Sequence, residues 1–111
     1  MTPDLYTVSM SAKADQDLRT LADYVARERS LDDAVALVDT VRGTIDSLEQ
    51  FPNRGSIPEE VRAFGETDYR QVFVGPYRIF CLVEDNHVTI TMIADGRRDI
   101  FEFLKRRLTS G

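Results

Sequence analysis

The chain has few of the residues on which covalent cross-links and metal sites depend. Cys81 is its one cysteine and His87 its one histidine. A lone cysteine forms no intrachain disulfide, and a lone histidine lacks the further ligands that a zinc or similar site requires. The sequence therefore predicts no metal site and no cofactor. It also predicts that Cys81 is a buried apolar residue on a central strand and that His87 is solvated in a hairpin turn.

Long hydrophobic runs are also absent. No stretch approaches the roughly 20 apolar residues that a membrane-spanning helix needs. The N-terminus has an early Asp4 and no basic region, so it does not resemble a signal peptide. Together with the single cysteine, these features predict a cytoplasmic protein without membrane association. The length of 111 residues predicts one domain over residues 1–111.

Charge is distributed unevenly along the chain. The net charge is −5, and residues 1–96 carry 9 lysines and arginines against 17 acidic residues, whereas residues 97–111 carry 5 against 2. A body that is acidic over most of its length repels nucleic acid, although a basic tail can still find an acidic protein surface. The balance therefore predicts protein partners and no direct binding of nucleic acid.

Two amphipathic helices are predicted in the first half of the chain, after a short strand at residues 5–9. Ser11 is placed as the N-cap of the first helix, in which apolar residues recur every three or four positions up to Val25. The second helix is predicted to begin at Asp32 or Asp33 and to stop before Pro52. Because only about three residues separate the two helices, they should form an antiparallel hairpin.

The second half predicts three antiparallel strands. Their expected bounds are Tyr69–Val74, Tyr77–Glu84 and Val88–Ala94. The last of them alternates apolar and polar residues, and turn-forming pairs at residues 75–76 and 85–86 separate the three. The predicted fold is therefore α+β, with the order β-α-α-β-β-β and a short C-terminal helix. In it, the helical hairpin packs on one face of a small, mainly antiparallel sheet.

Two further motifs complete the pattern. A Phe-Pro-Asn-Arg-Gly turn at residues 51–55 ends the helical half, and the last strand ends abruptly in Asp-Gly-Arg-Arg at residues 95–98. In the order and spacing of these parts, the chain resembles the ParE branch of the RelE/ParE superfamily of bacterial toxin–antitoxin systems. The resemblance implies a toxin that inhibits DNA gyrase by binding and trapping the cleaved-DNA state. It also implies a ParD-like antitoxin that neutralises the toxin.

The candidate contacts with gyrase or the antitoxin are mostly basic. Arg97 and Arg98 are adjacent on a strand and should point to opposite faces, so one is predicted to be structural and the other to bind a partner. Arg70 and Arg78 each follow a tyrosine at the start of a strand, and the alternative for them is a cross-strand pair with a carboxylate. The resemblance places the C-terminal segment near the toxic surface, which adds Phe101, Phe103, Lys105, Arg106 and Arg107.

Two smaller expectations concern the surface and the end of the last strand. Leu31 and Phe64, together with the two C-terminal phenylalanines, are predicted to contact apolar side chains of the antitoxin. Gly96 is predicted to adopt a backbone conformation that is closed to other residues.

The alternative function is that of a RelE-like, ribosome-dependent mRNA endoribonuclease. Such cleavage needs a general acid, a general base and cations on the phosphate. Arginines would supply the cations. Tyr77 is the conceivable general acid, but it is expected to pack against the fold. Residues 100–103 read Ile-Phe-Glu-Phe where a nuclease tends to place histidine or tyrosine. The sequence therefore favours a non-enzymatic inhibitor without catalytic residues, and leaves open the nuclease and a superfamily member that binds only its partner.

Overall fold

A computed structural model describes residues 5–62 and 68–96 of the chain, without the side chains of residues 60 and 61. In chain order, its elements are β1 (Thr7–Met10), α1 (Ala12–Glu28), α2 (Leu31–Ser47), α3 (Glu59–Arg62), β2 (Tyr69–Val74), β3 (Tyr77–Glu84) and β4 (His87–Asp95). The predicted α+β fold is confirmed. The predicted loop between the second helix and the second strand contains one short helix, α3, that sequence reasoning missed. The predicted C-terminal helix and Phe64 lie outside the described residues.

The four strands form one mixed sheet in the order β1-β4-β3-β2. The two pairs β2–β3 and β3–β4 are antiparallel, whereas β1 runs parallel to β4. The mainly antiparallel sheet that the sequence predicted is thus confirmed. Because β1 has 4 residues and β4 has 9, the second half of β4 extends beyond its neighbour.

Both long helices begin at serine caps. Ser11 Oγ accepts a hydrogen bond from the backbone N–H of Ala14 at 3.0 Å, and Ser30 Oγ accepts one from the N–H of Asp33 at 3.0 Å. Each serine satisfies a backbone donor that has no partner within its helix. The second helix therefore starts directly after Ser30, slightly earlier than the predicted start at Asp32 or Asp33. None of the helices at the described positions is both long and apolar enough to span a membrane.

The main core lies between the helical hairpin (α1 and α2) and one face of the sheet. Its buried members are Ala14, Leu18, Val41, Ile45, Leu48, Val72, Val74, Ile79, Cys81, Val88, Ile90 and Ile93. The helical residues among them lie on the apolar faces of the two amphipathic helices that the sequence predicted. Burial of such side chains is the main favourable contribution to folding, so this layer fixes the sheet relative to the hairpin.

Asp17 connects α1 to the part of β4 that β1 does not cover. Its Oδ2 atom accepts a hydrogen bond from the backbone N–H of Ile93 at 3.1 Å. Nearby, β4 has a bulge at Thr91, since its neighbours Ile90 and Met92 pair with consecutive residues of β3. The carboxylate thus satisfies a backbone donor at a strand edge next to the apolar core.

Cys81 is fully buried, as predicted, and burial raises the pKa of its thiol to about 12 because the core cannot solvate a thiolate. The pKa of an exposed cysteine thiol is about 8.5. Since the folded pKa lies above the unfolded one, the contribution of this thiol to stability is complete below about pH 8.5 and is lost as the pH rises towards 12. We expect native Cys81 to resist dithionitrobenzoate near neutral pH and to react fully in urea. Rapid labelling of the native protein would contradict its burial.

Candidate functional site

The face of the sheet opposite the helical hairpin carries the candidate site. Paired residues on neighbouring strands share a face, so the register assigns each side chain to one side. The central side chains of this distal face, as we name it, are Tyr69, Gln71, Phe73, Arg78, Phe80, Leu82, Met92 and Ala94. Phe80 and Met92 are buried there in a second, smaller apolar cluster, to which the loop residue Ile57 contributes.

Arg78 lies at the centre of the distal face with only 8% of its surface exposed. Its guanidinium carbon is 4.7 Å from the centre of the Phe80 ring, within the range of a cation–π interaction. Its Nε and Nη2 atoms donate hydrogen bonds to Oε1 of Gln71 at 3.0 and 2.6 Å. A guanidinium is thus held over an aromatic ring by a glutamine of the neighbouring strand, and its two donors to one oxygen are a pattern that the planar fork of arginine provides.

Gln71 is itself oriented by Ser56 in the preceding loop. The two residues exchange both backbone hydrogen bonds, at 3.2 and 2.8 Å, and Gln71 Nε2 donates to Ser56 Oγ at 3.1 Å. The amide nitrogen therefore faces the loop and the amide oxygen faces Arg78. Sequence reasoning missed both Gln71 and Ser56, because a polar residue on an edge strand gives no signal of a partner 15 residues away.

Gly96 keeps the end of β4 close to Arg78. Its N–H donates to the carbonyl of Pro76 at 2.7 Å, and a Cβ at this position would lie 3.1 Å from Arg78 Cγ. The prediction of a special backbone conformation at Gly96 is wrong, since the described glycines with positive φ are Gly55 and Gly75. A close approach of neighbouring atoms, and not a dihedral angle, explains this glycine.

The structure separates the predicted arginines. Arg70 pairs with Cys81, whose side chain belongs to the main core, so Arg70 lies half-buried on the hairpin side of the sheet. It cannot share one binding surface with Arg78 on the distal face. The other predicted contacts lie outside the described residues: Arg97, Arg98, Phe101, Phe103, Lys105, Arg106 and Arg107.

His87 is not the solvated turn residue that the sequence predicted. It is the first residue of β4, half-buried, and both of its ring nitrogens face hydroxyl groups of β1. Nδ1 contacts Thr7 Oγ1, and Nε2 lies 2.7 Å from Ser9 Oγ. The imidazole therefore joins the edge strand to the sheet. Among the described residues, no cluster of histidine, cysteine or acidic side chains could hold a metal ion.

Tyr77, the residue considered as an acid, faces the hairpin side. It lines a cavity of about 300 Å³ between the helical hairpin and the turn that joins β2 to β3. The ion pair between Arg29 and Asp33, with an N–O distance of 3.2 Å, lies at the same cavity. Because Tyr77 and Arg78 are consecutive on a strand, they point to opposite faces and cannot act together on one phosphate.

A helical hairpin packed on a four-stranded sheet of this order defines an α+β fold of the ParE/RelE type. Within the sequence, residues 8–100 match the family described as the ParE toxin of the type II toxin–antitoxin system, parDE. The chain therefore belongs to the ParE family of toxins.

Two toxin–antitoxin complexes are among the solved structures that are similar to this chain. One is the chromosomal ParDE toxin–antitoxin system from P. aeruginosa, with a TM-score of 0.70, 18% sequence identity, and coverage of 84% of this chain and 98% of that chain. The other is the toxin–antitoxin complex RelBE2 from Mycobacterium tuberculosis, with a TM-score of 0.54, 21% identity, and coverage of 82% and 98%. At these identities the likeness concerns the fold alone. No curated protein sequence matches the chain at a significant level.

Proposed function

We propose that this ParE-family toxin inhibits DNA gyrase in the cytoplasm by binding it and trapping the cleaved-DNA state. The observation that carries the proposal is the family match over residues 8–100. The geometry of the site supports it in a second way. Arg78 is buried beside the Phe80 ring, and the candidate acid Tyr77 lies on the opposite face of the sheet, so the two do not form a catalytic pair.

We further propose that a ParD-like antitoxin holds the toxin inactive. Leu31 is exposed, as predicted, with 70% of its surface accessible, and offers an apolar contact. Arginines of the toxin would meet carboxylates of the antitoxin, because paired charges of opposite sign favour association and exclude wrong partners. Arg97, Arg98 and the basic residues of the C-terminal segment remain the predicted contacts with gyrase or antitoxin.

The test is to assay the purified toxin for inhibition of gyrase supercoiling, for trapped cleaved DNA and for cleavage of mRNA on translating ribosomes. We expect supercoiling to be lost and cleaved DNA to accumulate while mRNA stays intact. Cleaved mRNA with unaffected gyrase would overturn the proposal in favour of the nuclease. Intact gyrase and intact mRNA would leave a protein that binds only its partner, and would overturn it as well.

Single substitutions identify the contributing arginine. If Arg97 or Arg98 binds gyrase, its replacement by alanine should cost about 2 kcal/mol, or roughly thirtyfold in the concentration required for half-inhibition. Arg27→Ala is the matched control, because Arg27 is an exposed arginine in the last turn of α1 that is not among the predicted contacts. Equal losses in all three variants would mean that general charge, and not a specific contact, determines inhibition.

A further inference from the structure

Ser9, His87 and Thr7 form a row of contacting side chains at the edge of the sheet. Val8 pairs with Val88, which belongs to the main core. The adjacent residues Thr7, Ser9 and His87 therefore point to the opposite side of the sheet. Both hydroxyl residues are exposed, and β1 is an outer strand of the sheet. A small molecule can thus reach the Ser9 hydroxyl from solvent.

The contacts of Thr7 determine which nitrogen of His87 carries the proton. Thr7 Oγ1 donates its one hydrogen to the backbone carbonyl of Asn86 at 3.4 Å. The same oxygen contacts Nδ1 of His87, so it accepts there and Nδ1 carries the proton. Nε2 is then free to accept a hydrogen bond from the Ser9 hydroxyl, whose oxygen lies 2.7 Å away. The hydrogen bonds therefore run in one direction, from Ser9 through His87 and Thr7 to a backbone carbonyl.

This order of groups is that of an activated nucleophile. A serine hydroxyl attacks slowly by itself, because it must lose its proton as the new bond forms. An imidazole nitrogen within hydrogen-bonding distance takes that proton as a general base. A third group that holds the imidazole in the correct tautomer completes such an arrangement, and Thr7 occupies its position.

The charged groups next to His87 favour the proton transfer. Glu84 of β3 pairs with His87 across the sheet, and Asp85 lies in the turn between the two strands. On this side β1 contributes only the hydroxyls of Thr7 and Ser9. The imidazole becomes positively charged when it takes the proton, and neighbouring carboxylates stabilise that charge.

We propose that Ser9 is a site of acyl modification, with His87 as its general base and Thr7 as a positioning residue. The acyl donor is an activated ester or thioester. Ser9 Oγ forms a bond to the carbonyl carbon of the donor while its proton passes to Nε2 of His87. The bond from that carbon to the leaving oxygen or sulfur then breaks, and the imidazolium gives the proton to the leaving group. The inference goes beyond the proposed action on gyrase and does not depend on it.

The test treats the full-length toxin with p-nitrophenyl acetate and follows the release of nitrophenolate. Mass spectrometry locates the acetyl group within the tryptic peptide of residues 1–13, which also contains the N-terminal amine and Lys13. Hydroxylamine removes an acetyl ester and leaves an acetyl amide. We expect one hydroxylamine-sensitive acetyl group on Ser9.

Substitutions separate the roles of the three side chains. Ser9→Ala should abolish the ester, and His87→Gln should slow its formation at least about tenfold, because the general base is lost. Because His87 is the one histidine of the chain, no other imidazole replaces it. Thr89→Val is the matched control and should react like the wild type, since Thr89 pairs with Ser9 but His87 contacts Thr7 and Ser9.

Two further measurements distinguish positioning from a merely structural role. Thr7→Val should slow acetylation of Ser9 about tenfold, whereas Thr7→Ser keeps the hydroxyl and should restore the rate. The rate should rise with pH and level off once the imidazole of His87 is neutral, because only the neutral ring accepts the proton. Far-UV circular dichroism verifies that each variant is folded at the temperature of the assay.

Three results would contradict the proposal. The first is acetylation confined to amines. The second is acetylation of Ser9 at the same rate in His87→Gln and the wild type, which would mean that the imidazole does not activate the hydroxyl. The third is undiminished release of nitrophenolate by Ser9→Ala, because His87 itself would then be the nucleophile. Equal rates in Thr7→Val and Thr7→Ser would remove the positioning role of Thr7.

Discussion

Replacement of Gly55 by alanine is expected to lower the free energy of unfolding by about 3 kcal/mol or more. Gly55 has a φ of +90°, which side-chain-bearing residues rarely adopt, and a Cβ there would lie 2.1 Å from the carbonyl oxygen of Gln71. The chain must move away from β2, so the backbone pairing of Ser56 with Gln71 is lost. Urea denaturation followed by far-UV circular dichroism measures the change.

Two other glycines serve as matched controls for this substitution. Gly75 has a φ of +56°, but a Cβ added there would have no atom within 4 Å, so Gly75→Ala should cost only the roughly 1–2 kcal/mol of the left-handed conformation. Gly43 lies in α2 with nothing within 4 Å, so Gly43→Ala should stabilise the protein by about 1 kcal/mol. A Gly55→Ala variant no less stable than Gly75→Ala would show that the steric contact with Gln71 is relieved cheaply.

Phe80→Ala is expected to lower the free energy of unfolding by about 3–5 kcal/mol, since Phe80 is fully buried and a large cavity would remain. The free energy of unfolding of a domain of this size is roughly 5–15 kcal/mol. The variant should therefore be only marginally stable at 37 °C. Arg78 would also lose the aromatic ring that it contacts. Thermal unfolding measures the first effect. At a temperature where the variant remains folded, the gyrase supercoiling assay tests whether placement of Arg78 matters for inhibition.

Phe73→Ala is the matched control for Phe80→Ala. Phe73 lies on the same face, in the neighbouring strand, and pairs directly with Arg78, but it is 59% exposed. Its truncation should therefore cost less than about 1 kcal/mol. Equal destabilisation of the two variants would contradict the assignment of Phe80 to a buried cluster.

Periodicity and turn chemistry were sufficient to predict most of the local structure. The bounds of β2 and β3 agree with the prediction, and β4 extends one residue further at each end. These elements are encoded locally, because alternation along a strand and turn-forming residues between strands act over a few positions. The separation of Arg70 from Arg78 was also predictable in principle. A two-residue turn fixes the register of the hairpin, and the register fixes the face of each side chain.

Other features depend on partners far away in the chain and had no local signal. His87 looked like a turn residue because its hydrogen-bonding partners, Thr7 and Ser9, precede it by 80 and 78 positions. The support of Arg78 by Gln71 and Ser56 arises only when the loop folds back along the edge of β2. The role of Gly96 also depends on residues that are not its neighbours in the sequence. The sequence suggested that Gly96 needs a special backbone conformation, whereas the close approach of Arg78 explains the glycine.

The parallel pairing of β1 with β4 has a consequence for how the toxin acquires its structure. Val8 pairs with Val88, so the edge of the sheet closes only when the first strand meets the last one described. Contacts between such distant segments slow folding, because a long loop must close before any contact is gained. The hairpins α1–α2 and β2–β3 can form early from local contacts, whereas the completed sheet forms late. A growing polypeptide on the ribosome would therefore lack the finished sheet until synthesis has passed β4.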